Sequence, residues 1–386
     1  MRIAYFTDTY SPEVNGVTNT LSKLGSYLDE RHVRQLVIAP DYDGNNPNCD
    51  SVFRSVHRFK GITTSLSPKS RLAFPAFWEI DEICDNFMPD VVHVTTEMGI
   101  GFRGMRYALS RGIPLVMSYH TDYCKYLKYH NLEFARPLLE NYLAWFYSFP
   151  ARTLAPSRHT LGELFAKGYR NLGIWSRGID ADRFNPCYKS ERLRKTLAED
   201  KFIFLYVGRL SPEKSLDTLL HAASEIERRF PNRAAFVFTG DGPSAETIQN
   251  SGLPNIIFTG FKRGKELSAM YASADCFAFP SATETFGNVV LEAMASGLPM
   301  AAVAGGGVTD FLTHDHNALL CEPDDAAAFT ENLIAVMEDN SLRLRLANNA
   351  RQTALTRNWD NIFDGLVDVY AETIKEDGQR NMPKSA

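Results

Sequence analysis

The sequence predicts an α/β chain built as two successive doubly wound domains, each a parallel sheet covered by helices on both faces. Two observations carry this. The strand-length runs Arg2–Phe6, Gln35–Ala39, Val91–Val94 and Pro114–Ser118 are continuously apolar rather than alternating, the mark of strands buried on both faces. Helical patterns lie between them, such as Val17–Glu30 and Phe77–Phe87. A second series of the same kind begins at Phe202–Val207 and continues through Ala235–Phe238, Ile256–Phe258, Cys276–Phe279 and Pro299–Val303. The turn-rich stretch around Asp180–Pro186 joins the two, which sets the expected domains at residues 1–180 and 181–357. Trp359 with Ile362, Phe363, Leu366, Val367, Val369 and Tyr370 forms an amphipathic helix over about 358–376. The polar tail Asp377–Ala386 is expected to fray.

Composition narrows the class. At 386 residues, 44% hydrophobic and 23% charged, the chain has the make-up of a folded globular protein. Its net charge of −5 offers nucleic acid no general attraction. The halves differ: residues 1–178 hold 20 basic and 17 acidic side chains, a balance of +3, which leaves −8 for the remainder. Six scattered cysteines form no C-x-x-C pair, which speaks for a reducing compartment and against a disulfide framework or structural zinc. With no apolar run of spanning length and no leader-like start, a cytoplasmic chain is expected, at most peripheral on the inner face of the cell membrane.

Five segments after strands carry candidate chemistry. Asn15-Gly16-Val17 opens a helix after the first strand, and Gly16 lets backbone N–H groups approach a phosphate. Gly208-Arg209 and Lys214 follow the first strand of the second half, where open α/β sheets bind ligands. Two cations at that spacing suit a diphosphate, one as a fork and one as a point charge. Gly240-Asp241-Gly242-Pro243 and Gly260-Phe261-Lys262 mark two further strand ends on the same rim. Most specific is Pro280–Gly297, in which Glu284 precedes a helix and Glu292 lies within it among apolar residues, a carboxylate suited to accept from vicinal hydroxyls. Neither half is read as carrying a G-x-G-x-x-G fingerprint, which disfavours a dinucleotide oxidoreductase. Asp41-Tyr42-Asp43 looks like a metal motif but reads as a turn.

The Glu-x7-Glu run, with Gly208-Arg209, Lys214, Gly240–Pro243 and Ala295–Pro299 in the same order and spacing, resembles the retaining glycosyltransferases of family 4, which have the GT-B fold. The resemblance covers nearly the whole chain. It implies two Rossmann-like domains facing a cleft, with the terminal helix crossing back onto the first domain. By position, Glu292 resembles the carboxylate on the donor ribose and Glu284 the one beside the transferred sugar. Phe286, Gly287 and Asn288 resemble the backbone N–H donors to sugar and phosphate, and Arg209 and Lys214 the diphosphate clamp. Gly16, Gly208, Gly240 and Asp241 fall in the donor-binding loops, Phe261 and Lys262 where the family holds the nucleobase, and His120 at the active-site histidine. Thr285 stands where many members have Gly or Ser. A donor that is a GDP- or UDP-sugar, no required cofactor, no metal, and a front-face retaining route are what the resemblance implies.

Asn15–Asn19 and Ile174–Asp180 resemble bacterial glycolipid α-mannosyltransferases and sulfoquinovosyl or glucosyl diacylglycerol synthases. The stretch Arg58, Lys60, Lys69 and Arg71, with Phe59, Leu66, Leu72, Phe74, Phe77 and Trp78, either meets an anionic membrane surface or packs within its domain. The run around Tyr123 and Lys125, ending at His130, either holds an acceptor headgroup or covers the core. Three alternatives stand beside a lipid acceptor. They are transfer to a soluble sugar or small molecule, phosphorylase or epimerase chemistry on the same fold, and a catalytically silent sugar-nucleotide binder.

Overall fold

A computed structural model describes residues 1–64, 67–129 and 132–380. The chain divides into two compact units: Met1–Leu127, Leu132–Ser176 and Asp360–Ala386 form the first, and Lys128–Asn131 with Arg177–Trp359 the second.

In the first unit the strands are β1 (Arg2–Phe6), β2 (Arg34–Asp41), β3 (Arg54–Thr64), β4 (Ser67–Ala73), β5 (Val91–Val94), β6 (Leu115–Ser118), β7 (Arg152–Ala155) and β8 (Leu172–Ile174). They lie in the order β4-β3-β2-β1-β5-β6-β7-β8 and are parallel, apart from the antiparallel β3–β4 pair at the edge. One face of β1, β2 and β5 buries Ala4, Phe6, Leu36, Ile38, Val92 and Val94. On the opposite side the helix Gly16–Glu30 buries Leu21, Leu24, Tyr27 and Leu28. The terminal helix Trp359–Arg380 packs there too, with the Phe363 ring 5.2 Å from Tyr27. That helix runs four residues past the expected end, so Asp377 to Arg380 are helical; residues 381–386 lie outside the described residues.

The stretch around Arg58–Trp78 contains two strands that were not among those expected, followed by the expected helix. Residues 54–64 and 67–73 are an edge hairpin, and only from Phe77 is the chain helical. Alternating polar residues and Pro68 hid these strands, because an edge ribbon needs no continuous apolar run.

The second unit has β9 (Phe202–Val207), β10 (Ala234–Thr239), β11 (Ile256–Gly260), β12 (Cys276–Phe279), β13 (Met300–Val303) and β14 (Leu319–Cys321), in the all-parallel order β11-β10-β9-β12-β13-β14. Ile203, Leu205 and Val207 enter one apolar cluster, while Phe204 and Tyr206 enter the other. Continuous hydrophobicity along β9 is thus spent on two cores. The strand order reverses between β9 and β12, the place where open sheets of this kind leave a crevice beyond their carboxyl ends.

Candidate active site

At that reversal, the loops after β9 and β12 meet. Lys214 closes a short 3-10 turn, Pro212–Lys214, and Ser211 donates to the buried Glu213 carboxylate at 2.5 Å. Thr283, in the loop after β12, donates to the Glu213 carbonyl at 3.0 Å and joins the two loops. Lys214 Nζ then lies 2.6 Å from Glu284 Oε1, with the two side chains 12% and 20% exposed. Residues 70 positions apart are therefore one ion pair. Arg209 is on the exposed side of the same loop, and among the described residues it has no ion-pair partner. Tyr206 Oη donates to the Arg209 carbonyl at 3.0 Å, which holds the loop's path.

Close backbone approach builds the rim. A methyl at Gly240 would fall on the Gly208 carbonyl oxygen, and one at Gly242 on that of Leu210. The Leu210 N–H in turn donates to the Asp241 carbonyl at 3.0 Å. Phe261, after β11, is 56% exposed.

Glu284 and Glu292 sit on opposite sides of Gly287, which takes φ +95° and starts the helix Asn288–Ala295. Glu292 Oε2 accepts from Tyr271 Oη at 2.9 Å. Burial first, and then the neighbouring carboxylate, pushes the Tyr271 phenol well above its ordinary range, so it stays a donor. The Phe286 side chain is core, 5.3 Å from the Phe311 ring; of that residue only the backbone can serve a ligand.

Sequence reading missed three groups. Gly305, Gly306 and Gly307 press against the Glu284 loop: a methyl at Gly306 would fall on the Glu284 carbonyl oxygen, and the Gly307 N–H donates to that oxygen at 2.7 Å. Three consecutive glycines after β13 were the available signal. Tyr271 was hidden because it comes from a helix whose apolar pattern reads as plain core. Asp8 and Glu97, polar residues just past β1 and β5, are the third group.

Those two carboxyls shape the carboxyl edge of the first unit's sheet. Asp8 accepts from the amides of Ile100 at 2.7 Å and Met98 at 3.1 Å, and from Thr96 Oγ1 at 2.7 Å, at the start of the helix Gly99–Arg111. That helix corrects the expectation that neither half has a G-x-G-x-x-G spacing, since Gly99, Gly101 and Gly104 supply one. It is no pyrophosphate cradle: Asp8 already fills the anion position, and methyls at Gly101 and Gly104 would strike the Thr96 carbonyl and the Phe6 ring. Glu97 is buried beneath Tyr147, whose hydroxyl donates to its carboxylate at 2.5 Å, and burial pushes its carboxyl up to about 8.

His120 follows β6, its ring 5.6 Å from that of the buried Trp175. Trp175 also lies 5.3 Å from the His93 ring, and His93 is held by Tyr370 Oη at 2.6 Å and Ser118 Oγ at 2.5 Å.

The remaining candidates are largely occupied by structure. Asn15 caps the helix Gly16–Glu30 by accepting from the Thr18 N–H at 2.9 Å, and Gly16 is that helix's exposed first residue. Lys125 pairs with Glu163 at 2.7 Å, which ties the helix Tyr123–Tyr129 to Arg158–Ala166. Two members of the basic cluster make contacts within their own unit. Arg58 turns back to donate to the Pro40 carbonyl at 3.1 Å, and Arg71 pairs with Asp43 at 2.5 Å. Lys60 is exposed; the side chain of Lys69, Leu66 and His130 lie outside the described residues. Asp41 accepts from the Gly44 N–H at 3.1 Å, as a turn residue does. Among the described residues, no helix is long and apolar enough to cross a membrane.

Loops after β9 and β12 thus bring together a cation, a paired carboxylate and a second carboxylate held by tyrosine, and these make up the candidate site. The chain belongs to the GT-B glycosyltransferases of family 4: the Glycosyltransferase Family 4 profile matches residues 14–183, and the Glycosyl transferases group 1 profile matches residues 189–353. It is a hexosyltransferase that takes its sugar from a nucleotide sugar. A relative named GDP-mannose-dependent alpha-mannosyltransferase, from Mycobacterium tuberculosis (strain CDC 1551 / Oshkosh), is 33% identical over 96% of each chain. An alpha-monoglucosyldiacylglycerol synthase of Streptococcus pneumoniae is 28% identical over 88% of this chain and 80% of its own. Among solved structures, sucrose-phosphate synthase from Thermosynechococcus elongatus shares the fold with a TM-score of 0.78 at 18% identity, over 97% of this chain and 99% of that one. Anabaena HepE in complex with UDP-glucose does so with a TM-score of 0.73 at 19% identity, over 96% and 100%.

Proposed function

We propose that this chain is a retaining α-hexosyltransferase that moves mannose from GDP-mannose, or a related hexose from UDP, to a hydroxyl of a membrane glycolipid. The Lys214–Glu284 pair at the β9/β12 reversal is the observation that carries this reading. As the bond between the anomeric carbon and the diphosphate opens, negative charge grows on the leaving group. Lys214 and Arg209, with N–H groups from Gly287 and Asn288 at the helix start, meet that charge. The acceptor oxygen bonds to the anomeric carbon on the face the diphosphate leaves, and its proton passes to the leaving phosphate. Glu292, oriented by Tyr271, takes the ribose hydroxyls. Glu284 and His120 attend the sugar, Gly16, Gly208, Gly240 and Asp241 the phosphates, and Phe261 with Lys262 the base.

Two cations facing the diphosphate do the work that a divalent ion does elsewhere, so turnover needs no metal. The lipid acceptor is supported by the diacylglycerol-directed relative and the donor by the mannose-directed one. The test is a panel of GDP- and UDP-sugars with glycolipid and soluble acceptors, followed by NMR of the new anomeric proton, with and without EDTA. An α-product from a retained α-donor, at rates agreeing within about twofold across EDTA, is expected. An inverted product, a requirement for Mg²⁺ or Mn²⁺, or transfer to soluble sugars alone would each overturn the corresponding part.

A further inference from the structure

Glu213 and Thr283 each stand one residue before a member of the Lys214–Glu284 ion pair, and the two are bonded to each other. Thr283 Oγ1 donates to the Glu213 carbonyl at 3.0 Å. The peptide unit leading into Lys214 is thus tied to the residue that leads into Glu284. One hydroxyl sets the spacing of the two loops at the point where the cation and the carboxylate meet.

Both ends of this tie are themselves fixed. Glu213 is buried, and its carboxylate accepts from Ser211 Oγ at 2.5 Å within the turn that Lys214 closes. The Lys214 N–H donates to the Ser211 carbonyl at 3.0 Å, which holds the turn shut. On the other loop Ser281 is fully buried, with its Oγ 3.4 Å from Thr283 Oγ1. The Glu284 carbonyl accepts from the Gly307 N–H at 2.7 Å. A β-branched threonine is stiff about χ1, so its hydroxyl has few other directions to take. Lysine, by contrast, carries its charge on a flexible four-carbon stem, and the place of its backbone decides what the ammonium group can reach.

We propose that Thr283 is a positioning residue for sugar transfer, whose hydroxyl holds Lys214 and Glu284 at the separation that the opening anomeric bond requires. It acts through the pair and not on the donor. Charges held in advance stabilise the charge that develops on a leaving group because they need not move as it appears. A loosened pair gives up that advantage in the transition state and little in the ground state, so the loss falls on kcat. The inference rests on the reading that Lys214 and Glu284 act on the donor, and the variants below let the two fail separately.

The experiment is steady-state kinetics of the full chain with GDP-mannose and with UDP-glucose, read as release of the nucleoside diphosphate, beside calorimetric titration with GDP and UDP. Thr283→Val keeps the shape and removes the donor. It should lower kcat about tenfold, with donor KM and nucleotide affinity changed by less than about twofold. Thr283→Ser returns the hydroxyl and should recover kcat to within about threefold of wild type. In a Glu284→Gln background, where the ion pair is gone, adding Thr283→Val should cost less than about twofold more. Thermal melting checks the fold of each variant, and if Thr283→Val does not fold, Thr283→Ala carries the same comparison with Thr283→Ser. Wild-type kcat in the valine variant, equal losses in the serine and valine variants, or nucleotide affinity that falls together with kcat would overturn the proposal. So would the whole tenfold loss persisting in the Glu284→Gln background. Undiminished turnover in Lys214→Ala and Glu284→Gln would instead sink the reading of the pair, and the role of Thr283 with it.

Discussion

Lys214 and Glu284 are salt-bridged at 2.6 Å, so a diphosphate that uses Lys214 must compete with a carboxylate already there. The two single substitutions should therefore move nucleoside-diphosphate affinity in opposite directions. Glu284→Gln removes the competing charge. A hydrogen bond to a charged group contributes about 1.5–3 kcal/mol net, and the glutamine carbonyl keeps part of it. Roughly 1.4 kcal/mol, or about tenfold tighter binding of GDP or UDP, is the expected gain. Lys214→Ala removes the cation itself and leaves the Glu284 carboxylate facing the phosphates, so affinity should fall at least about tenfold. Both variants should lose at least about a hundredfold in kcat/KM, about 2.7 kcal/mol of transition-state stabilisation, because the proposed reaction uses Glu284 on the sugar and Lys214 on the departing diphosphate. Titration calorimetry with GDP and UDP on both variants and on the double variant gives the cycle, and residues in contact should couple by more than about 0.5 kcal/mol. Weaker nucleotide binding in Glu284→Gln, or an additive double variant, would refute the competition.

Three more outcomes follow from the same geometry. Tyr271→Phe removes the hydroxyl that holds Glu292 at 2.9 Å and should raise donor KM about tenfold with kcat changed little, as steady-state kinetics would show. Gly306→Ala places a methyl on the Glu284 carbonyl oxygen at φ +65° and should abolish nucleotide binding in calorimetry, since the loop must move. Glu97 holds its proton up to about 8 in the folded chain, well above the unfolded carboxyl. The folded state therefore binds more protons between those values, and stability falls as pH rises across that window. Glu97→Gln should melt higher than wild type, by a margin that widens from about pH 5 to pH 8 and then levels, and a constant margin in a pH series of thermal melts would count against the buried acid.

Local signals determined much of this protein. Uninterrupted apolar runs such as Phe202–Val207 specify strands buried on both faces, because no other arrangement hides every side chain of a five- or six-residue strand. Helix starts were legible too: Gly16 opens the first helix, and Glu284 precedes the helix in which Glu292 lies, as read from the sequence. The order and spacing of Gly208, Lys214, Glu284 and Glu292 along the chain marked the candidate donor-binding segments through their resemblance to the family.

Contacts between distant residues decided the rest. Nothing in residues 205–215 states that Lys214 will face Glu284; the parallel pairing of β9 with β12 brings them together. Tyr271 is one apolar-looking helix residue among several until the fold places its hydroxyl on Glu292. The cations marked for a membrane illustrate the limit most plainly. Arg58 and Arg71 look like free surface charge in sequence, yet the edge hairpin lays them beside Pro40 and Asp43. Burial pattern is a property of neighbours along the chain, and sequence carries it; the partner of a charge is a property of neighbours in space, and only the folded sheet supplies it.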